Sequence, residues 1–363
     1  MFTYITKRLL WMIPTLIGIT FITFIIMKLA PGDPTSLKLL FAGQNISPEA
    51  LANEMAKKED PIALPPGYLD FSHALSKTLH GQEENTPTFK ALNWTGKNSV
   101  FYWKWLKNIT VLDFGLSTKD RRPVSTRIKE ALPITLTINI LAILIVYTIS
   151  IPMGLWSAVH ENSVVDKALM LKMFLLYSLP TFWVAMLLLV YLAGGEYLNW
   201  FPLMGFQSDN AASLPLWQKL TDIGWHLTLP LVTEVYGSFA FLSRFSRSNF
   251  LEVIRQDYIR TAKAKGLSTF KVLFKHVFRN AMIPLITLMG TLLPALLGGS
   301  VIVEQIFSIP GMGMLSFEAV LSRDHNLIMG LATIGAFLTL ISLLLSDLLY
   351  VLVDPRISFE ARE

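Results

Sequence analysis

The residue types and motifs that support enzyme chemistry are scattered or missing in this sequence. It contains no cysteine, which excludes disulfide bonds, thiolate metal sites and thiol catalysis. Its six histidines include no H-E-x-x-H motif, the spacing that places two zinc ligands on one helical face. It also has no G-x-S-x-G nucleophile motif and no G-x-x-x-x-G-K-[ST] phosphate loop. We therefore expect no catalytic residue, metal or cofactor in this chain, and any ATP that drives it must be hydrolysed by another chain.

Basic residues are concentrated between Arg244 and Arg279, where nine Lys or Arg accompany two acidic residues. Such an excess beside membrane spans is typical of a cytoplasmic loop. Inside it, two short helical patterns meet at Gly266. We expect Asp257 to cap the first helix, Gly266 to end it in a left-handed backbone conformation, and Ser268 or Thr269 to cap the second. From composition alone, this elbow could bind either anionic lipid or a protein partner.

The apolar composition predicts a membrane protein that positions this elbow. The 363 residues are 52% hydrophobic and 16% charged, with a mean hydropathy of +0.48, which is too apolar for an ordinary soluble domain. The net charge of +5 is attributed to topology, since no nucleic-acid-binding module accompanies it. Helical spans need about 20 apolar residues, which predicts an all-α fold with six transmembrane helices: Leu9–Met27, Ala131–Val159, Met173–Gly195, Trp225–Ser243, Ala281–Val303 and Leu327–Ser346.

These spans divide the chain into four parts. We predict an N-terminal transmembrane helix over residues 1–31, retained rather than cleaved as a signal peptide, and a long external segment over 32–130. A five-helix core follows over 131–356, including the cytoplasmic loop 244–280, and a tail covers 357–363. The short-loop charges place both termini in the cytoplasm.

The external segment contains two kinds of sequence. SVFYWKWLKNITVL predicts an aromatic-rich amphipathic helix. Residues 60–98 are instead rich in Pro, Gly and polar side chains, so they bury little apolar surface. Two interpretations of residues 60–98 stay open: a segment that assists substrate delivery, or a neutral insertion.

Polar residues and prolines inside the spans are candidates for a translocation pathway. Glu234 could line the pathway or bond to a neighbouring helix for assembly, because ionisable groups in spans face protein or water. Glu304 is a second pathway or gate candidate. Pro180 is expected to kink the third span, for gating or for packing. Asp347 lies near a span end, where interfacial pairing is the simpler interpretation.

Several blocks resemble, in order, the inner-membrane permease subunit of peptide-importing ABC transporters. They are TYITKRLLWMIPTLIGITFITFIIMKLAPGDP near the start, DFGLS at 113–117, the segment 257–284, LLGGSVIVEQIFSIPGMG and DLLYVLVDPRI. AGGEYLNWFPLMG, SLPLWQKLTDIGWHLTLP and VDPRISFEARE are similar to the Yej-type permeases, whose family substrates include oligopeptides and microcin C-like peptide conjugates.

The resemblance implies that the short helix is the family's coupling helix. The residues at its E-A-A-x-x-x-G positions are Arg260, Thr261, Ala262 and Gly266. Ala262 and Gly266 agree with this consensus, and Arg260 and Thr261 depart from it. The candidate ATPase-coupling residues are Tyr258, Arg260, Ala262, Lys263, Ala264, Gly266 and Leu267.

The resemblance also implies partners and a location. The partners are a second homologous permease, two cytoplasmic ABC ATPase subunits or domains that use ATP and Mg, an external solute-binding protein, a peptide substrate and membrane lipid. The location implied is the bacterial inner membrane. The predicted function is peptide import by alternating access. The alternatives are a passive channel or assembly scaffold without ATPase coupling, and an intramembrane hydrolase, which the missing catalytic pairs argue against.

Overall fold

The computed structural model describes residues 2–29, 99–195, 197–292 and 295–353. Within these ranges the chain is helical, and its extended pairing is limited to an isolated bridge between Leu116 and Pro123. The expectation of an all-α protein is confirmed for this part. Residues 60–98 and the tail 357–363 lie outside the described residues.

Two of the helices in the described ranges continue into π-helical segments. In chain order the helices are α1 Phe2–Leu29, α2 over residues 99–109, α3 Val124–Val159, α4 Val164–Ser178, α5 Thr181–Leu188 with the π-helix Leu189–Ala193, α6 Leu216–Ile254, α7 Asp257–Ala264, α8 Thr269–Lys271 with the π-helix Val272–Phe278, α9 Arg279–Leu292, α10 Ala295–Gly298, α11 Val301–Ile306, α12 Met312–Leu321 and α13 His325–Val353.

Three of the described helices are uninterrupted, long and apolar enough to cross a membrane: Tyr4–Met27, Val124–Val159 and His325–Leu348. They correspond to the first, second and sixth predicted spans. The fourth predicted span lies inside the 39-residue helix α6. A further bent pair of helices raises the possible count to four, so the count of six stays a prediction.

The third and fifth predicted spans are not continuous helices. Helices α4 and α5 differ in direction by 94°, because Pro180 pushes Leu179 into the extended backbone conformation, with ψ of 134°. The fifth is interrupted at Gly299, whose φ is +64°, and Ser300 then caps α11 by accepting a hydrogen bond from the Val303 amide. Backbone conformation, which hydropathy does not measure, ends both helices.

One compact unit contains the described residues of 1–16, 128–318 and 334–363. Its largest apolar cluster includes the fully buried Phe250, Ile259, Val272, Val277 and Leu285. These residues come from α6, α7, α9 and the π-helix between α8 and α9, so the elbow shares a core with the helices on either side of it.

Near its chain ends, the same unit holds an ion pair. Arg8 contacts the carboxylate of Asp347 at 2.7 Å, and the Tyr4 hydroxyl donates to the same carboxylate at 2.7 Å. The predicted pairing of Asp347 near a span end is confirmed.

The second compact unit contains the described residues of 17–127 and 319–333. Helix α2 buries Tyr102 and Trp105 against Phe24 and Met329, and the hydroxyls of Thr20 and Tyr102 are 2.8 Å apart. The predicted amphipathic helix is confirmed by this buried stripe.

The DFGLS segment of the second unit meets the start of α13. Buried Asp324 accepts hydrogen bonds from the Thr118 amide at 2.9 Å, from the Ser117 hydroxyl and from the Leu327 amide at 3.1 Å. The carboxylate therefore caps α13 and holds the DFGLS segment at the same time.

Candidate functional site

Helix α7 begins one residue earlier than the sequence predicts. Gln256 is the N-cap residue and makes no side-chain capping bond, while Asp257 lies in the first turn. The prediction that Asp257 caps the helix was therefore wrong. Its carboxylate accepts a hydrogen bond from Arg260 at 3.3 Å and still lies at the positive end of the helix dipole.

One face of α7 packs into the core and the rest is open to solvent. Ile259 is 1% exposed and Ala262 is 7% exposed, and this spacing of three residues places both on one side of the helix. Six of the seven predicted coupling residues lie on the exposed surface, which we call the elbow surface: Tyr258, Arg260, Lys263, Ala264, Gly266 and Leu267. Ala262, the seventh, is buried beneath that surface and packs into the core.

Gly266 ends α7 in the left-handed conformation, with φ of +74°. Its amide donates to the Lys263 carbonyl at 3.0 Å, and the Leu267 amide donates to the Ala262 carbonyl at 3.4 Å. These bonds use carbonyls that the end of a helix would otherwise leave unpaired. Apart from Gly266 and its two chain neighbours, no heavy atom of the described residues lies within 4 Å of the position that a Cβ would take there. The expectation for this glycine is confirmed.

A buried ion pair fixes the helix that leads into the elbow surface. Arg247 of α6 makes two hydrogen bonds of 2.8 Å to the two carboxylate oxygens of Asp166, which is 2% exposed. The Ser157 hydroxyl and the Asn162 amide also donate to that carboxylate. This bidentate contact joins the first turn of α4 to α6. Sequence reasoning missed it, because 81 residues separate the two partners.

Glycine lets α3 and α6 approach closely near this ion pair. A Cβ at Gly154 would lie 2.5 Å from the Ser246 Cβ and 2.9 Å from the Arg247 amide nitrogen. The contact leaves no room for a larger residue, so the α6 segment carrying Arg247 is held against α3.

A pocket of about 460 Å³ lies among α3, α4, α5, α6, α9 and α11, and we call it the Glu234 pocket. Glu234 lines it and is hydrogen-bonded to Ser300. Tyr177 and Thr181, which flank the break at Pro180, also line it. The structure therefore brings two of the three predicted pathway residues to one place.

The break at Pro180 is stabilised from across the pocket. Because the helix is interrupted here, the Leu179 carbonyl lies outside the regular helical hydrogen bonding. It accepts a hydrogen bond from the Tyr236 hydroxyl at 2.7 Å. A polar partner for a freed carbonyl is what a broken membrane helix requires.

Glu304, the third pathway candidate, lies in a different and fully buried setting. Its carboxylate accepts hydrogen bonds of 2.8 Å from the Thr135 hydroxyl and from the Met314 amide, and the Gly313 amide also bonds to it. The Met312 amide donates to the Thr135 hydroxyl at 2.8 Å. Glu304 and Thr135 together satisfy the free amides at the start of α12.

Gly299 and Gly311 make room for this carboxylate, and Gly313 makes room for the backbone at Val301. A Cβ at Gly299 would lie 2.6 Å from a Glu304 oxygen, one at Gly311 would lie 2.5 Å from the Glu304 Cδ, and one at Gly313 would lie 2.8 Å from the Val301 amide. We call these residues, with Glu304, Thr135 and the α12 amides, the Glu304 cluster. The glycine spacing in LLGGSVIVEQIFSIPGMG was the only sequence signal for it.

Comparison with known proteins gives a family and relatives of nearly the same length. The family described as "Binding-protein-dependent transport system inner membrane component" matches residues 150–359. The chain is 35% identical over 373 residues to the inner membrane ABC transporter permease protein YejB of Escherichia coli O157:H7, covering 99% of each chain.

Two relatives from Bacillus subtilis (strain 168) are similarly close. The oligopeptide transport system permease protein AppB is 36% identical over 360 residues, covering 99% of this chain and all of that protein. The dipeptide transport system permease protein DppB is 33% identical over 360 residues, covering 99% of each chain.

Proposed function

The chain belongs to the family of binding-protein-dependent transport system inner membrane components, and we propose that it is the permease subunit of an ATP-driven ABC importer for peptides or peptide-like solutes. The observation that carries this proposal is similarity over the full chain to permeases that are named for oligopeptide and dipeptide transport. These relatives favour an importer over the alternative of a passive channel or scaffold.

We propose a complete topology on the same basis. The protein resides in the bacterial inner membrane with six spans, and both termini lie in the cytoplasm. The three uninterrupted apolar helices supply half of these spans. The bent pair α4–α5 and the helices α6 and α9 supply the remainder. The basic loop that contains α7 then lies in the cytoplasm, in agreement with its charge.

The proposed assembly contains a second homologous permease, two ABC ATPase subunits and an external solute-binding protein. ATP and Mg bind to the ATPase subunits, and this chain contributes no catalytic residue. Its two permeases enclose the pathway and alternate access as the ATPases close and open.

The elbow surface is the proposed ATPase contact. Its residues are exposed while Ile259 and Ala262 are buried in the core shared with α6 and α9. A push on α7 is therefore passed to those helices through close-packed side chains, which have low compressibility. The contact residues we propose are Tyr258, Arg260, Lys263, Ala264, Gly266 and Leu267, with Ala262 as the support beneath them.

Cross-linking in the assembled transporter tests this proposal. Because the natural chain has no cysteine, Lys263→Cys introduces a single thiol on α7, and Asp209→Cys introduces a matched exposed thiol in the loop before α6. A short thiol-to-amine cross-linker should join the thiol at position 263 to an ATPase subunit, and ATP binding should change the yield.

The thiol at position 209 serves as the control. It should give no ATPase adduct and should react with a membrane-impermeant reagent in intact cells, whereas the thiol at position 263 should not. An ATPase adduct at position 209, or external labelling at position 263, would overturn the proposed orientation.

A further inference from the structure

Glu234 has no positively charged partner among the described residues. It is half-buried in α6, its hydrogen-bond partner is Ser300, and no ion pair to it exists among the described residues. An ionisable side chain at such a depth usually pairs with another charge or faces a water-filled path. The carboxylate therefore has capacity for a positively charged partner.

The other side chains of the Glu234 pocket suit the same kind of partner. Among the described residues, no Lys or Arg lines the pocket, whereas three tyrosines and a phenylalanine do: Tyr147, Tyr177, Tyr236 and Phe241. Aromatic ring faces attract ammonium groups, and more strongly when the cation is removed from water. A carboxylate bordered by aromatic rings is a combination that favours a cation over an anion.

One hydroxyl in the pocket is left without a partner. The Tyr147 hydroxyl oxygen is buried and makes no hydrogen bond with any described residue, although a buried polar group without a partner is costly. Tyr236, in contrast, uses its hydroxyl on the Leu179 carbonyl. The Tyr147 hydroxyl is thus a second polar group in the pocket with unused bonding capacity.

We propose that the Glu234 pocket is a subsite for a primary ammonium group, with Glu234 as its counter-charge and the aromatic rings as its walls. Its volume lies within the range of small-ligand sites. The physiological source of the ammonium group rests on the proposed function, from which it is the amino terminus of a transported peptide.

The affinity for cations can be measured without transport. Ser238 lines the pocket and is exposed, so Ser238→Cys provides the only thiol of this chain. In the purified transporter, mass spectrometry of this chain gives its reaction rates with aminoethyl methanethiosulfonate, a primary ammonium, and with the anionic sulfonatoethyl reagent. We expect the cationic reagent to have the larger rate, and Glu234→Gln to lower the ratio of the two rates on the order of tenfold.

A matched control removes the same charge from the same helix. Glu252 of α6 is exposed and does not line the pocket, so Glu252→Gln should leave the rate ratio unchanged. Equal rates for the two reagents, or a ratio that Glu234→Gln does not alter, would overturn the proposed subsite even if the transporter is active.

Peptide uptake distinguishes the possible sources of the ammonium group. Reconstituted vesicles would be given trialanine, N-acetyl-trialanine and N-acetyl-Ala-Lys-Ala together with the binding protein. With a terminal amine as ligand, Glu234→Gln should reduce trialanine uptake several-fold relative to the wild type and leave both acetylated peptides unaffected. A selective loss of the lysine peptide would instead assign the pocket to a side-chain ammonium.

The thiol and uptake results have separate meanings. If the thiol rates respond to Glu234→Gln but no peptide is taken up by the wild type, the subsite stands and the peptide-import function fails. If uptake proceeds and neither measurement responds, the function stands and the subsite fails.

Discussion

Gly266 and Gly299 share a backbone conformation but have opposite surroundings. Both have positive φ, +74° and +64°. Around Gly266, no described residue beyond its chain neighbours lies within 4 Å of an added Cβ, whereas at Gly299 an added Cβ would lie 2.6 Å from a Glu304 oxygen and 2.7 Å from the Gly313 nitrogen. The elbow surface needs glycine for its backbone alone, and the Glu304 cluster also needs the space.

The residues of the two regions are therefore constrained by different contacts. In the Glu304 cluster, each residue is determined by neighbours in the same chain, through three close glycines and a carboxylate with buried donors. On the elbow surface, the exposed side chains contact little of their own chain, so their identities are free to match a partner. Substitutions should therefore damage folding in the first region and coupling in the second.

The largest effect on stability is expected for Gly299→Ala. A left-handed backbone with a Cβ and the overlap with Glu304 and Gly313 should together lower the free energy of unfolding by about 2–5 kcal/mol. The yield and thermal midpoint of the detergent-solubilised transporter provide the measurement. Gly298→Ala is the neighbouring control, since its Cβ would meet no atom of the described residues within 4 Å beyond its own helix and chain neighbours. Equal midpoints for the two variants would contradict the packing argument.

Glu304→Ala should have an effect of similar size. It leaves the Thr135 hydroxyl and the Met314 amide without their acceptor in a buried site, which costs about 1–3 kcal/mol for each group. Glu304→Gln retains an acceptor oxygen and should lower the same thermal midpoint less. If Glu304→Ala keeps the wild-type midpoint but abolishes uptake, Glu304 acts as a gate and not as a cap.

Gly266→Val should affect coupling more than folding. A β-branched residue at positive φ costs about 1–2 kcal/mol, and the surrounding space is open, so the protein should still insert and assemble. Stimulation of ATPase activity by the binding protein and peptide uptake should both fall sharply. Gly266→Asn is the matched control, because Asn adopts this conformation more readily and should retain most of the uptake. Normal uptake by the valine variant would remove the elbow from the mechanism.

Lys263→Ala should have the smallest effect on stability. Its side chain is exposed, and surface substitutions of this kind usually change stability by less than about 0.5 kcal/mol. We expect an unchanged thermal midpoint with reduced ATPase stimulation. A clear loss of thermal stability would show that this face of α7 is packed, which would contradict the difference between the elbow surface and the Glu304 cluster.

Local patterns in the sequence were sufficient to predict the elbow. The helix over Asp257–Ala264, its end at Gly266 and the grouping of the exposed residues depend on side chains within one or two turns. The aromatic helix α2 was predictable for the same reason. The cap predictions were less accurate. Gln256 and not Asp257 takes the N-cap position of α7, and Ser268 takes the N-cap position of α8 but makes no side-chain capping bond.

The partners of the buried polar groups could not be predicted in the same way. Glu304 was selected as an isolated acidic residue, but its role is defined by Thr135, which lies 169 residues away. The kink that Pro180 predicted in the third span is confirmed by the 94° bend between α4 and α5. The sequence did not show that the Tyr236 hydroxyl supplies a partner for the freed Leu179 carbonyl. Long-range pairing of polar groups was therefore the missing information.

The π-helix Val272–Phe278 connects the elbow to α9. A turn of π-helix encloses one more residue than a turn of α-helix. The segment between α7 and α9 therefore contains more residues than an α-helix with the same number of turns. If one residue were deleted there, the π-helical turn would become an α-helical turn, and the side chains of α9 would keep their orientation. The number of residues between Gly266 and α9 can thus change by one without rotating α9 about its axis.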